Sequence, residues 1–262
     1  MSLDLEAYLR RTGYAGPRDA SLGTLKGLHA AHATAIPFEN LAIQLGELPL
    51  RLDEESLQAK LVACRRGGYC FEQNHLFQAV LRALGFEVRA FEARVRMGSP
   101  EPLPRTHMLL GVTVDGRDWL CDVGFGGEGL FHPVAMDGEA SAQPQGRYRV
   151  AAEGPLRVLQ SEAPAGWMDL YAFEPVPRLK VDFELGNWFT STHPDSRFVK
   201  TLTAQLLLPD GRRVLRGVDY TVVRGGEVVH RVLEVAEIPS VLREDFGLEV
   251  PDGAVFRAFS GG

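Results

Sequence analysis

The 262-residue sequence predicts an α+β protein, because its apolar residues recur at helical spacing up to Gly85 and alternate at strand spacing after it. The pair Asp115-Gly116 between two β-rich runs adds a tight hairpin to the second part. Residues 3–11 carry Leu5, Tyr8 and Leu9 on one side of a first helix, and Ser21 precedes a second run with Leu22, Leu25, Leu28 and His32. Pro37 ends that run, since proline disfavours the α region for the residue before it, and leaves Phe38 in an extended or turn segment. Asp53 is a plausible N-cap, with Glu54 and Glu55 in the first turn, for a third helix through Leu57, Leu61 and Val62 towards Gly67-Gly68. A fourth follows from Cys70: Phe77, Val80, Leu81 and Leu84 fall at i, i+3, i+4 and i+7, and Gly85 is a left-handed stop.

Beyond Gly85, residues 86–95 read as a strand with Phe91, Ala93 and Val95 on one face, followed by a proline-rich loop over 98–104. Residues 106–114 and 117–123 flank the Asp115-Gly116 turn. Residues 138–146 read as a loop, 148–150 and 157–159 as short strands around Gly154-Pro155, and 167–173 as another strand. A helix or linker is expected from Pro175 through Phe183 and Trp188. Strands over 201–208 and 214–223 are then joined at Pro209-Asp210-Gly211, and a closing helix starts at Ile238-Pro239.

Composition is that of an ordinary globular chain, 45% hydrophobic and 24% charged. A net charge of -6, with basic residues only in short pairs such as Arg65-Arg66 and Arg212-Arg213, argues against nucleic acid as a partner. No run approaches the length of a membrane span. Three cysteines cannot all pair, and the start Met1-Ser2-Leu3-Asp4-Leu5-Glu6 has neither a basic nor an apolar stretch, which points to the reducing cytoplasm. His29 and His32 share a helical face, but no carboxylate or cysteine near them completes a metal site, and the cysteines lack zinc-ligand spacing, so no metal is expected.

Cys70 is the candidate nucleophile. Gly67 and Gly68 would let the chain bend into the helix, and unpaired N–H groups with the positive end of the dipole at its start favour a thiolate. A small buried cysteine beside a glycine turn would look the same from this stretch alone. The hairpin supplies partners. Counting outward from its turn, Val114 opposes Arg117, Leu109 opposes Asp122 and His107 opposes Gly124, so His107 and Asp122 project from one face as diagonal neighbours. A one-residue slip would separate them. A core histidine and a turn aspartate remain the alternative on the hairpin alone. Taken together, the three residues have the logic and chain order of papain-type chemistry: a thiol, a base that takes its proton, and an acid that orients the base.

Arg66-Gly67-Gly68-Tyr69-Cys70-Phe71-Glu72-Gln73-Asn74, Ile36-Pro37-Phe38-Glu39-Asn40-Leu41, Thr106-His107, Asp122-Val123-Gly124-Phe125-Gly126 and Ser191-Thr192-His193-Pro194-Asp195-Ser196-Arg197-Phe198 together resemble the motifs of the arylamine N-acetyltransferases. The resemblance implies a helical domain over 1–85 with the nucleophile, a β-barrel domain over 86–195 with histidine and aspartate, and an α/β lid over 196–262. It also implies ping-pong acetyl transfer from acetyl-CoA, a co-substrate rather than a tightly bound cofactor, to a small arylamine. Arylhydrazines and N-hydroxyarylamines are further acceptors, and handling of foreign amines is the expected role. Carried over by residue, Cys70 takes the acetyl group, His107 is its base and Asp122 the orienting acid. Phe38, Val95, Phe125 and Phe198 surround the pocket, Gly124 and Gly126 lie beside the CoA arm, and Thr106 sits near the cleft. Glu39 and Arg66 would form an internal ion pair. The sequence does not fix which basic residues meet the CoA phosphates: Arg65, Arg197 and Lys200 are candidates, and for each a solvated surface position is the plainer reading. The tail over 256–262 implies only a short extension over the cleft. A CoA-independent amide synthase and a cysteine hydrolase of the same fold stay open, as does the oligomeric state; a non-catalytic barrel would leave the Cys, His and Asp coincidence unexplained.

Overall fold

The computed structural model describes residues 3–99 and 101–260. Met1-Ser2 of the start, Pro100 of the 98–104 loop and Gly261-Gly262 of the tail lie outside the described residues. The first two helices form where capping and periodicity place them. α1 (Leu5–Thr12) starts at Asp4, whose carboxylate accepts from the Ala7 N–H at 2.9 Å, and α2 (Leu22–Ala35) starts at Ser21. The chain then extends through β1 (Phe38–Glu39) into the short α3 (Leu41–Gln44).

The expected third helix is corrected in its winding. Asp53 caps α4 (Glu54–Leu57), but the chain continues as a π-helix over Gln58–Ala63, with the Cys64 N–H reaching back five residues to the Ala59 carbonyl. Lys60, on this wide segment, meets Glu72 at 2.6 Å, and Glu72 accepts from the Tyr69 N–H at the start of α5 (Cys70–Ala83).

The glycine pair also has a different purpose from the expected bend. Positive φ falls at Arg65, not at Gly67 or Gly68. Gly67 is needed because a Cβ there would lie 2.1 Å from the Pro37 carbonyl oxygen, and Gly68 because one there would meet Glu72 Oε2 at 2.8 Å. The loop runs against the Phe38 segment as a backbone bridge, with the Glu39 N–H donating to the Gly68 carbonyl at 3.0 Å. Gly67→Ala is therefore expected to destabilise the fold by about 1–3 kcal/mol through overpacking, visible as a lower urea midpoint at unchanged slope.

The strands β2 (Glu87–Val95), β3 (Arg105–Val114), β4 (Arg117–Cys121), β5 (Val134–Ala135), β6 (Ser141–Gln143), β7 (Gly146–Glu153), β8 (Leu156–Ala163) and β9 (Gly166–Phe173) make one antiparallel eight-stranded sheet in the order β5-β4-β3-β2-β9-β8-β7-β6. It curls until β5 approaches β7, giving a barrel-like sheet. One face of β2 and β3 (Val88, Ala90, Met108, Leu110, Val112) packs with the helices, and the other (Phe91, Leu109) fills the barrel with Leu120, Leu159, Leu170 and Phe173. β3 is thus buried on both faces, and its apolar run is nearly continuous. Asp115 and Gly116 both have positive φ, 51° and 75°, as a type I′ turn requires. β6 corrects the expectation of a plain loop over 138–146.

After α6 (Lys180–Thr192) and α7 (Arg197–Lys200), a five-stranded antiparallel sheet forms from β10 (Thr203–Leu208), β11 (Gly211–Arg216), β12 (Asp219–Arg224), β13 (Glu227–Val232) and β1, which pairs Phe38 with Gln205. The strand expected over 214–223 is in fact two: Gly217, at φ 61°, turns the chain between β11 and β12. β13 escaped sequence reading because it is exposed along its whole length, so no buried face imposes a period of two. The closing helix α8 (Ile238–Phe246) has proline in its first turn and Gly247 at its left-handed end, and Leu242 and Phe246 pack under the sheet with Leu215 and Tyr220.

Candidate active site

Three separate elements deliver the central side chains. Cys70 opens α5, 3% exposed, where helix N–H groups converge. His107 lies on β3. Asp122 follows β4 directly: the ladder runs from Val114 opposite Arg117 to Leu110 opposite Cys121, and the same register continued puts Asp122 across from Leu109, on the face His107 shares. His107 Nε2 meets Asp122 Oδ2 at 2.6 Å. Nδ1 is the ring nitrogen that Asp122 leaves free, and Cys70 lines the same cavity as His107. The Cys70 Sγ is 3.6 Å from the Thr106 carbonyl oxygen.

Electrostatics favour a charged histidine. Burial alone would push the His107 pKa down, but the Asp122 carboxylate and Cys70 raise it to about 10. Burial would likewise raise Asp122, and the His107 charge, with hydrogen bonds from Asn74 and Gly124, holds it below the usual carboxylate value. The Asp122 carboxylate is saturated with donors. Oδ2 also accepts from the Tyr171 hydroxyl at 2.9 Å, while Oδ1 accepts from Asn74 Nδ2 at 3.0 Å and the Gly124 N–H at 2.9 Å. Burial pushes the thiol of neighbouring Cys121 well up, which leaves it inert.

His29 and His32 turn out to be supports. Burial depresses His29 to about 4, so it stays neutral, accepts from the Asp122 N–H at Nε2 and donates from Nδ1 to the Phe131 carbonyl. His32, depressed to about 3 by burial, accepts from the Tyr8 hydroxyl and donates to Gln73 Oε1; Gln73 in turn donates to the Gly68 carbonyl at 2.7 Å. A buried chain of polar groups thus ties α1 and α2 to the loop that presents Cys70.

A cavity of about 290 Å³ opens over Cys70 and His107, lined among others by Phe38, Val95, Thr106, Gly124, Phe125 and Phe198. Phe125 meets His107 edge-on at 5.1 Å, and Phe198 lies 5.8 Å from Phe38. Gly124 must be glycine, since a Cβ would lie 2.7 Å from the Cys70 Cα. Gly126 sits outside this lining, at φ 87°, in a small neighbouring cavity behind Phe125. Glu39 and Arg66 pair at 3.4 Å, with Glu47 also on Arg66. Of the basic candidates, Arg197 lines the cleft, Lys200 is held by Asp195 at 2.8 Å, and Arg65 lines a different cavity beside α1.

Several residues of the site were not singled out from sequence. Asn74 carried a signal, because it falls four residues after Cys70 on the same helical face. Tyr171, Gln205 and Arg216 carried none, being brought in by strands distant in sequence.

An N-acetyltransferase family model matches residues 21–255. The arylamine N-acetyltransferase of Mycolicibacterium smegmatis is 40% identical over 259 residues, covering 96% of this chain and 94% of that protein. The solved structure of the arylamine N-acetyltransferase from Salmonella typhimurium superposes with a TM-score of 0.90 at 37% identity, over 97% of this chain and 94% of its own. That of the Mycobacterium marinum enzyme in complex with CoA gives 0.88 at 39% identity, over 93% and 92%. With a fold and sequence similar over nearly its whole length to these proteins, the chain belongs to the arylamine N-acetyltransferase family.

Proposed function

We propose that the protein transfers an acetyl group from acetyl-CoA to the nitrogen of an arylamine in two half-reactions through acetyl-Cys70. The observation that carries this reading is that Cys70 and His107 line one aromatic-walled cleft, with buried Asp122 meeting His107 Nε2 at 2.6 Å. In the first half-reaction the Cys70 thiolate attacks the thioester carbonyl, and N–H groups at the start of α5 stabilise the oxyanion. The C–S bond to CoA breaks, and the His107 imidazolium supplies the proton that leaves with CoA as its thiol. The arylamine nitrogen then attacks acetyl-Cys70, neutral His107 takes a proton from the developing ammonium, and the N-acetyl product departs, restoring thiolate and imidazolium. Asp122 keeps Nδ1 of the histidine directed at the sulfur by holding Nε2. Phe38, Val95, Phe125 and Phe198 form the apolar walls for the acceptor ring and the acetyl group.

Mass spectrometry of the intact protein after acetyl-CoA tests the proposal. A single acetyl group on Cys70, removed within seconds by an arylamine and slowly by water, is the expected result. Rapid loss to water would make the protein a hydrolase, and no acylation by acetyl-CoA would point to an amide synthase fed by another acyl donor.

A further inference from the structure

Of the strands that end a sheet, β13 alone among the described residues keeps a long open edge. β5 and β6, at the two ends of the barrel-like sheet, are two and three residues long, and β1, also of two residues, is bridged at Phe38 by Gly68. β13 runs for six residues at the far end of the five-stranded sheet. It lacks the usual protections of an edge, holding no proline or lysine and pairing with β12 without a bulge. Val228, Val229 and Val232 are 65%, 56% and 67% exposed, on both faces of the strand.

The hairpin fixes which groups that edge offers. Gly225 and Gly226, at φ 56° and 87°, make a two-residue turn, so Arg224 and Glu227 exchange hydrogen bonds across it and every second pair does the same. The Leu233 N–H, donating to the Val218 carbonyl at 2.9 Å, keeps that alternation at the other end. The N–H and C=O groups of Val228, His230 and Val232 therefore point away from β12, towards the open edge. Glu227, Val229 and Arg231 share the face of Val222 and Tyr220.

We infer that β13 pairs antiparallel with β13 of a second copy of this chain, about a two-fold axis at Val229, joining two five-stranded sheets into one. In that register Val228 of each copy exchanges backbone bonds with His230 of the other, and Glu227 of each stands opposite Arg231 of the other. Glu227 has no cation within salt-bridge distance among the described residues, and Arg231 spends one N–H on Glu237 at 3.0 Å, with others to spare. The neighbouring registers that also use the outward groups lose this match. An axis at His230 sets that histidine against its own copy and Arg231 against Val229, while an axis at Val228 sets Glu227 against Val229 and carries Arg231 past the strand end. Charge complementarity thus selects both the second copy and the register, and a closed two-fold stops assembly at two chains.

Sedimentation velocity over a concentration series tests the pairing. Wild type is expected to pass from the 28.8 kDa chain to twice that mass with a dissociation constant on the order of 10 µM, the weak end for a small interface. Glu227→Arg and Arg231→Glu each place two like-charge pairs across the axis and should weaken the dimer by at least about tenfold. Mixed one to one, the two variants set arginine against glutamate at both ends, and the dimer should return as a heterodimer. Circular dichroism checks that these exposed changes leave the fold intact. A wild-type chain that stays monomeric at concentrations about ten times the expected constant would overturn the second copy as occupant and leave the edge to a different chain. A dimer that both single variants retain, or that their mixture fails to restore, would overturn the pairing through β13.

Discussion

Cys70→Ala and Cys70→Ser are expected to reduce acetyl transfer on the order of 10⁴-fold or more, the scale on which removing one member of a nucleophile, base and acid set acts. Alanine has no nucleophile, and a serine hydroxyl does not ionise beside an imidazole as a thiol does, so no imidazolium is stored for the leaving CoA. The fold should survive both changes, because the side chain is small and packs at a helix start rather than at the centre of the core. The controls come from the same sequence. Cys64 is exposed, and Cys121 is fully buried with its thiol unreactive. Cys64→Ala should behave as wild type, and Cys121→Ala should lose about 1 kcal/mol of stability with its chemistry intact. Steady-state rates with circular dichroism on the same samples decide the matter: near-normal turnover of a Cys70 variant, or inactivity of a folded Cys64→Ala protein, would move the nucleophile elsewhere.

Asp122→Asn should cost at least about a hundredfold in the rate of Cys70 acetylation, at the low end of what general acid–base assistance supplies. The hydrogen bonds dictate the reason. Oδ1 faces two donors, the Asn74 amide and the Gly124 N–H, so the asparagine oxygen must take that side and its NH₂ must face His107 Nε2 and the Tyr171 hydroxyl. Nε2 is then forced to accept, the ring proton moves to Nδ1, and the nitrogen facing Cys70 can no longer take a proton. The pH dependence has a definite sign. Asp122 is the charge that raises His107 to about 10, so in the variant the imidazolium gives up its proton at lower pH and the thiolate loses its partner. The profile of Cys70 alkylation by iodoacetamide should therefore shift to higher pH than in wild type. Coincident profiles would show that Asp122 does not act through His107.

What could be read before folding was whatever depends on near neighbours. The start of α5 at Cys70 was legible because caps, helical period and Gly85 all lie within a few turns of one another. The proximity of His107 and Asp122 was legible because a two-residue Asp-Gly turn fixes the register, and register fixes which side chains share a face. The glycine pair before Cys70 was found for the wrong reason. Local propensity suggests a bend, whereas the need for Gly67 is set by the Pro37 carbonyl, which arrives from a separate segment.

Near-neighbour chemistry was enough for the α+β grouping, the helix that opens at Cys70 and the face shared by His107 and Asp122, since turn chemistry and periodicity act over a few residues. What surrounds them came from packing alone. Tyr171 reaches Asp122 from 49 residues away, His29 from 93, and Arg216 joins Arg197 over the cleft because β11 follows β10 in the sheet that β1 completes. These partners have no local signature, because the burial that assembles distant strands is non-directional and rewards apolar area wherever it is found. A tyrosine on a strand reads the same whether its hydroxyl meets water or a buried carboxylate, and only the packed chain fixes which.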